Sequence, residues 1–336
     1  MKFKIQIISF LFISIFSSAQ SDTSKKELHP SNTYTIYFDG YLKSDFSKPS
    51  KNNRTSFTNS DKSLELGIAS IKIDHVSSNF SSTLDLGVGK RAQEFSYNDN
   101  GLATVVKQAY LSYAPIRGLK ITAGKWATHF GYELLDATSN RNYSMSYGYT
   151  FSPFFHSGLK TEIALGGKWA LMMGIAQPTD FVIASSSNKV FIAQLSSATK
   201  FDQLKGLINF MSTKDKSQFE IILNGAISSS VSINYDGTKV WKQANTWSSN
   251  ALYINYDPNT KLGFTVRSEY FNDENNLVGV GTSIFQNTLS ANLHFYKWTI
   301  IPEIRLDNSN NKIFINSNNN LNQYAGNFII AAVYKI

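Results

Sequence analysis

The chain has 336 residues, no cysteine and a formal net charge of +8 at pH 7, from 32 Lys and Arg against 24 Asp and Glu. Only 17% of the residues are charged and 14% are aromatic, whereas a soluble globular protein usually has about 25% charged residues. The lack of cysteine excludes a disulfide scaffold, thiolate metal sites and a cysteine nucleophile.

The N-terminal segment is predicted to be a secretory signal peptide. Lys2 and Lys4 precede an apolar run from Ile5 to Phe16, and small residues follow as far as Ala19. Such a run makes a helix of about 18 Å, too short for a bilayer core of about 30 Å. We expect cleavage after residue 19, which removes two lysines and leaves a formal charge of +6. Residues 20–32 are then a short periplasmic segment.

The rest of the chain alternates apolar and polar residues with a period of two, and apolar residues recur at helical spacing in no long window. Alternation of this kind is typical of β-strands with one apolar face. We therefore predict an all-β fold for residues 33–336. In chain order, strands are predicted near 33–43, 64–75, 80–90, 104–114, 118–130, 156–165, 168–177, 189–212, 218–228, 246–256, 261–271, 284–296, 298–307 and 324–336.

Three features favour a membrane barrel over a soluble sandwich. A ten-residue strand tilted by about 40° spans about 25 Å, the height of an outer-membrane apolar band. Long connectors such as 44–63 alternate with short ones such as 76–79, as expected for the outer and periplasmic sides. Aromatic residues also lie near strand ends, where membrane interfaces enrich them: Tyr34, Tyr113, Trp126, Trp247, Tyr270, Trp298, Tyr324 and Tyr334.

These features together predict a transmembrane antiparallel up-and-down β-barrel in the cell outer membrane. It has about 14 strands, an even number that places both termini in the periplasm. The region 178–212 is ambiguous, so roughly 12 to 16 strands are compatible with the pattern.

The segment after the fifth predicted strand carries a specific motif. It begins Gly124-Lys125-Trp126-Ala127-Thr128-His129-Phe130-Gly131-Tyr132-Glu133, continues with Asn140 and Asn142-Tyr143-Ser144, and ends Pro153-Phe154-Phe155-His156-Ser157-Gly158. This motif resembles that of the putative β-barrel porin-2 (OmpL-like) family of Bacteroidetes-type outer-membrane proteins. It departs from the family at Trp126, where Phe is favoured, and at Met145, where Arg is frequent. The resemblance implies a passive pore and identifies no solute.

Charged residues inside the strands fall on the face opposite the apolar one. Opposite charges recur two residues apart, so that neighbours can pair across strands, and in a water-filled pore such rows influence ion preference. We predict that they line a pore; the alternative is that they neutralise the interior of a closed barrel. The pore-lining candidates are Asp39, Asp85, Lys160, Glu162, Arg267, Glu269, Glu303 and Arg305.

A wall of about 14 strands has a backbone diameter of roughly 28 Å, which requires a constriction. The connector 131–155 is the candidate, because it is long and rich in aromatic residues at its end. We predict that it folds inward, although an outward surface loop is the alternative. Its candidate constriction residues are Glu133, Asn140, Asn142 and Tyr143.

No motif in the sequence predicts catalysis. His129 and Glu133 could form an acid–base pair, but no serine–histidine–acid order or metal-ligand spacing surrounds them. We predict no enzyme activity, no catalytic residue, no cofactor and no metal. The basic residues form no stripe, so nucleic acid is not an expected partner.

The sequence predicts a porin-like channel for passive diffusion of small hydrophilic solutes or ions. The expected partners are outer-membrane lipid, lipopolysaccharide and those solutes, and assembly into a homo-oligomer is left open. The alternative is a closed outer-membrane barrel that acts as a scaffold or surface-interaction protein.

Overall fold

The architecture is a single closed barrel of antiparallel strands. A computed structural model describes residues 30–47, 52–184 and 188–336. Sixteen strands, β1–β15 and β18, form the barrel; each pairs with its neighbour along the chain, and β1 pairs with β18. The predicted signal peptide 1–19 and residues 20–29 of the predicted periplasmic segment lie outside the described residues.

The barrel strands have lengths of 8 to 15 residues. They are β1 (Ser31–Asp45), β2 (Leu64–Val76), β3 (Phe80–Val88), β4 (Val106–Ile116), β5 (Leu119–Ala127), β6 (Phe155–Gly166), β7 (Trp169–Ala176), β8 (Val190–Ala198), β9 (Leu204–Ser212), β10 (Lys216–Ala226), β11 (Val231–Lys242), β12 (Asn245–Asn259), β13 (Leu262–Asn272), β14 (Ser283–Phe295), β15 (Trp298–Ser309) and β18 (Tyr324–Lys335).

Few other elements occur in the described part of the chain. A small hairpin of β16 (Phe314–Ile315) and β17 (Leu321–Asn322) lies in the connection from β15 to β18. The two α-helices are α1 (Lys90–Phe95) and α2 (Tyr147–Phe151), and 3-10 turns occupy Gly101–Val105 and Ala137–Ser139. None of these described helices is both long and apolar enough to cross a bilayer.

The all-β barrel predicted from the alternation is confirmed, and its sixteen strands lie at the upper end of the predicted range. The count of 14 was too low in two places. Residues 189–212, expected as one strand, form β8 and β9, and the expected connector 229–245 contains β11. The interior Asp236-Gly237 pair of β11 resembles a turn, although here it lies in the middle of a paired strand.

The two rims of the barrel differ in their connections. At the short-turn rim, where β1 begins and β18 ends, every hairpin connection is five residues or fewer, as in residues 77–79 and 199–203. The opposite, long-loop rim carries the longer connections, of which 128–154 is the longest, but also the tight hairpins at 213–215 and 243–244. These two tight hairpins break the expected alternation of loop length, which explains the error in the strand count.

The side chains alternate between the two faces of the wall. In β1, Ile36 and Phe38 are 49% and 41% exposed on the outer face, while Tyr37 and Asp39, which alternate with them, are buried inside. Most of the predicted interfacial aromatic residues point outward, but Trp126 and Trp247 are buried inside the barrel, at 3% and 1% exposure. Those two are therefore part of the interior packing and not of a membrane interface.

Candidate functional site

Residues 128–154, here called the inner segment, run inside the barrel. They hydrogen-bond to inward side chains of β1 and of β9 to β15, which lie on different sides of the wall. Only a segment that passes through the lumen can reach all of these strands. The predicted loop 131–155 corresponds to this segment, except that the segment already begins at residue 128 and that Phe155 is the first residue of β6.

Wall carboxylates hold the backbone of the inner segment. Glu269 on β13 accepts hydrogen bonds from the N–H groups of Tyr147 (2.8 Å) and Gly148 (2.7 Å). Glu303 on β15 accepts the N–H groups of residues 143 and 144 at 2.7 and 3.1 Å. Both carboxylates are buried, and a buried carboxylate needs donors of this kind to offset its desolvation.

The same arrangement recurs at the start of the inner segment. Glu220 on β10 accepts the N–H of Gly131 at 3.0 Å, and Asp236 on β11 accepts the N–H of Tyr132 at 2.9 Å. Neither carboxylate was among the predicted site residues. Glu220 could be predicted from its place on the inward face of the predicted strand 218–228. Asp236 could not, because the sequence predicts a connector at 229–245.

Two wall arginines bind carbonyl groups of the inner segment. Arg267 on β13 donates to the carbonyl oxygen of Ser144 at 2.7 Å and forms a salt bridge with Glu133. Arg305 on β15 donates to the carbonyl oxygen of Met145 at 2.7 Å. The predicted pore-lining residues Arg267, Glu269, Glu303 and Arg305 therefore all bind the inner segment. Each is buried against it.

The predicted loop residues have different roles. Glu133 accepts hydrogen bonds from the backbone N–H and the hydroxyl of Ser146, both at 2.8 Å, and thus joins two turns of the segment. Asn140 bonds to both backbone groups of Leu134, at 2.8 and 2.6 Å. These contacts stabilise the folded shape of the segment itself.

The remaining two predicted loop residues contact the wall. Asn142 donates to the hydroxyl of Ser290 on β14 at 2.7 Å. The hydroxyl of Tyr143 donates to Asp39 on β1 at 2.7 Å, and the guanidinium of Arg91 lies 4.8 Å from the centroid of the Tyr143 ring. The predicted wall residue Asp39 is consequently buried under aromatic and basic groups.

Three predicted wall residues lie outside this network. Asp85 on β3 pairs with Lys107 at 3.1 Å. On β6, Lys160 lies 3.5 Å from Glu162, which also pairs across the sheet with Lys120 at 2.5 Å. Lys160 and Glu162 are the only predicted wall residues that keep partial exposure, because they lie between the inner segment and the short-turn rim.

An arginine that sequence reasoning did not single out marks the depth reached by the inner segment. Arg141 donates to Asp257 near the end of β12, at 3.0 Å for one of its two contacts, and to the hydroxyl of Thr265 at 2.8 Å. Asp257 lies just before the short turn that joins β12 to β13. The segment that enters from the long-loop rim therefore extends most of the way towards the opposite rim.

A small cavity of about 10 Å³ lies beneath the inner segment, at the lower limit of the volume that one water molecule needs. It is lined by Tyr132, Glu133, Asn140, Arg141, Asn142 and Tyr253. The charged interior is thus satisfied mainly by protein groups at this level.

Two glycines of the sequence motif have conformations that other residues adopt poorly. Gly124 has φ of 128°, and a Cβ atom there would lie 2.2 Å from the carbonyl oxygen of Ala109. Gly131 has φ of 93°, and a Cβ would lie 3.0 Å from the ring of Tyr149. Gly124 lies in β5 just before the inner segment begins, and the two residues that follow it, Lys125 and Trp126, are both buried.

A further carboxyl group, outside the barrel strands, anchors the end of the inner segment. Asp180, in the connection from β7 to β8, accepts hydrogen bonds from the N–H groups of Phe154 (2.7 Å) and Phe155 (3.0 Å). The hydroxyl of Tyr97 donates to its other oxygen at 3.2 Å. Burial raises the pKa of the Asp180 carboxyl to about 6, against the lowering effect of these donors.

The two residues considered as an acid–base pair, His129 and Glu133, have separate partners. Glu133 is engaged with Arg267 and Ser146, whereas His129 packs against His156, with ring centroids 5.1 Å apart. Burial lowers the pKa of His129 well below its usual value. Among the described residues, no group of three or more His, Asp or Glu side chains is placed to hold a metal ion.

The fold resembles those of several outer-membrane proteins at low sequence identity. An OmpT variant of Vibrio cholerae, lacking loop L8, superposes with a TM-score of 0.59 and 13% identity, covering 91% of this chain and 99% of that one. The DcaP outer-membrane channel of Acinetobacter baumannii gives 0.58 and 9%, covering 93% and 99%. An anion-selective porin from Comamonas acidovorans gives 0.59 and 10%, covering 92% and 100%. No curated protein matches the sequence.

A closed barrel with an apolar outer face, a charged interior and an inward-folded segment defines a porin-like barrel of the outer membrane. The family model described as putative beta-barrel porin-2, OmpL-like, matches residues 33–336. The chain therefore belongs to this family, as its motif predicted.

Proposed function

We propose that the protein is an outer-membrane channel for passive diffusion of small hydrophilic solutes, and that the inner segment determines its bore. The observation that carries the proposal is the attachment of this segment to charged wall residues on several strands. A barrel of sixteen strands has a backbone diameter of roughly 32 Å. Such a wall needs an internal constriction to discriminate among solutes.

The chemistry of the interior supports a hydrophilic path over a sealed apolar core. The wall beneath the inner segment carries carboxylates, guanidinium groups and amides, including Arg267, Gln286 and Glu303. Burying a charged group costs free energy, and apolar side chains would close a barrel equally well. Retaining the charged groups favours an interior that solutes and water enter when the segment moves.

Single-channel recording in planar bilayers tests this proposal. The wild-type protein is compared with a variant that lacks residues 134–150, a deletion that leaves both ends of the inner segment attached to β5 and β6. We expect discrete conductance steps from the wild type and steps several-fold larger from the deletion variant. Equal conductance in the two would contradict a role for the segment as the constriction.

A second candidate function is a closed barrel that displays its long loops to a partner. The cavity of only about 10 Å³ beneath the inner segment favours it. A closed scaffold is electrically silent as the wild type and conducts only after the deletion. That pair of recordings distinguishes the two functions, with heat-modifiable gel mobility as the control for folding.

A further inference from the structure

The mouth between the inner segment and the short-turn rim, here called the vestibule, keeps solvent exposure. Inward-facing cations there outnumber inward-facing anions. The six cations are Lys72, Lys120, Arg141, Lys160, Lys205 and Lys335, all partly exposed. The acidic side chains are Asp74, Asp136, Glu162 and Asp257, each of which lies in a salt bridge.

The excess of cationic over anionic side chains is greatest on the wall from β5 to β9. There Lys120 and Lys160 share one carboxylate, that of Glu162. Lys205 faces inward on β9, and its partners in the sheet are Ala198 and Asn224, neither of which is acidic. Three cations against one anion leave this sector with a net positive charge.

The short turns increase the same charge. They carry Arg117, Lys168, Lys200, Lys261 and Lys297 against the single acid Asp202. Deeper in the lumen the wall carries further acidic residues. These are the carboxylates Glu220, Asp236, Glu269 and Glu303, which are buried and bound to the inner segment. The positive charge of the chain is thus concentrated at one end of the barrel.

We propose that the vestibule selects anions, so that the solutes favoured by the channel are small hydrophilic anions such as carboxylates and phosphates. A confined mouth with low-dielectric walls focuses the field of its charges and raises the local concentration of counter-ions. Rings of Lys and Arg side chains are what selects anions in pores. This inference rests on the proposed channel function.

Reversal potentials in asymmetric KCl provide the test. The bilayer contains phosphatidylcholine alone, so that no anionic headgroup can occupy the lysines of the turns. The test variant is Lys160→Gln with Lys205→Gln, which leaves Lys120 paired with Glu162. The wild type is expected to favour chloride over potassium. The double variant should lose roughly half or more of that preference, because two unit charges beside the path are removed.

A matched control removes two lysines at the opposite rim. Lys214→Gln with Lys312→Gln changes the net charge equally, and both residues are exposed at the long-loop rim. This variant should keep the wild-type ratio of chloride to potassium permeability. A wild type that favours potassium, or an equal shift in both double variants, overturns the vestibule as the selective element.

A binding measurement separates this inference from the channel function. The detergent-solubilised proteins are titrated with inorganic phosphate by calorimetry, after gel mobility has shown that each is folded. Saturable heat from the wild type and the control that is several-fold weaker in Lys160→Gln/Lys205→Gln supports anion binding in the vestibule. This holds even if the bilayer recordings show no conductance, and in that case only the channel function is refuted. No saturable heat from the wild type, or equal heat from all three proteins, contradicts the vestibule.

Discussion

Replacing Glu269 by Gln should weaken the attachment of the inner segment to the wall while leaving the barrel folded. Glu269 is buried and accepts three hydrogen bonds, from the N–H groups of Tyr147 and Gly148 and from the hydroxyl of Ser249. Glutamine keeps one acceptor oxygen but places an NH₂ group where the second oxygen lies. One N–H of the inner segment then faces a donor and loses its partner.

The size of the effect follows from that loss. A hydrogen bond to a charged group contributes about 1.5–3 kcal/mol, and leaving a buried donor unsatisfied costs about 1–3 kcal/mol. These two contributions overlap, so we expect the substitution to destabilise the attached state of the inner segment by about 3 kcal/mol relative to the detached state. Every 1.4 kcal/mol is a factor of ten, so the detached population should rise roughly a hundredfold. The wall itself should be unaffected, because its strands are held by backbone hydrogen bonds.

Limited proteolysis measures the detached population. Trypsin reaches Arg141 only when the inner segment leaves the lumen, and the cleavage rate follows the population of the open form when opening is fast. Glu274→Gln is the matched control, because it makes the same chemical change at an exposed position beyond β13. Heat-modifiable mobility should be unchanged in both variants. Cleavage at Arg141 as slow in Glu269→Gln as in the control would refute the reasoning.

Two further predictions concern the motif and the anchor of the inner segment. Gly124→Ala should lower the free energy of unfolding by about 2 kcal/mol or more, because the new Cβ would lie 2.2 Å from a carbonyl oxygen in a backbone with φ of 128°. Urea titration checks this, with Gly206→Ala, where the nearest atom is at 3.5 Å, expected to be nearly neutral. The pKa of Asp180 is raised to about 6 in the folded protein, so its contribution to stability is full below about pH 4 and is lost as the pH rises through 6. The melting temperature of the wild type should therefore rise from pH 7 to pH 4 by more than that of Asp180→Asn, and parallel profiles for the two proteins would contradict the assignment.

The fold class could be derived from the sequence because it depends on local pattern. Alternation with a period of two decides which side chains face the same way, and a paired strand needs nothing further from distant residues. Ile36 and Phe38 accordingly lie outside, and Asp39 lies inside. The motif from Gly124 to Glu133 likewise located the inner segment within a few residues.

The strand count failed where local signals conflicted with pairing. Asp236-Gly237 resembles a turn, yet the neighbouring strands β10 and β12 hold it in the middle of β11. Residues 189–212 lack a strong turn motif, so β8 and β9 merged into one prediction. The tight hairpins at 213–215 and 243–244 then removed the difference in loop length that would have shown the error.

By itself the sequence determined a barrel with charges on its inner face, because facing is a property of neighbours along one strand. Only the tertiary structure determined which groups those charged side chains contact. Glu303 binds the backbone at Tyr143, 160 positions away, whereas Lys160 keeps contact with solvent in the vestibule. A charge pattern in the sequence cannot distinguish a buried charge from a solvent-exposed one, because the free energy of a charge depends on the groups that surround it and exclude water.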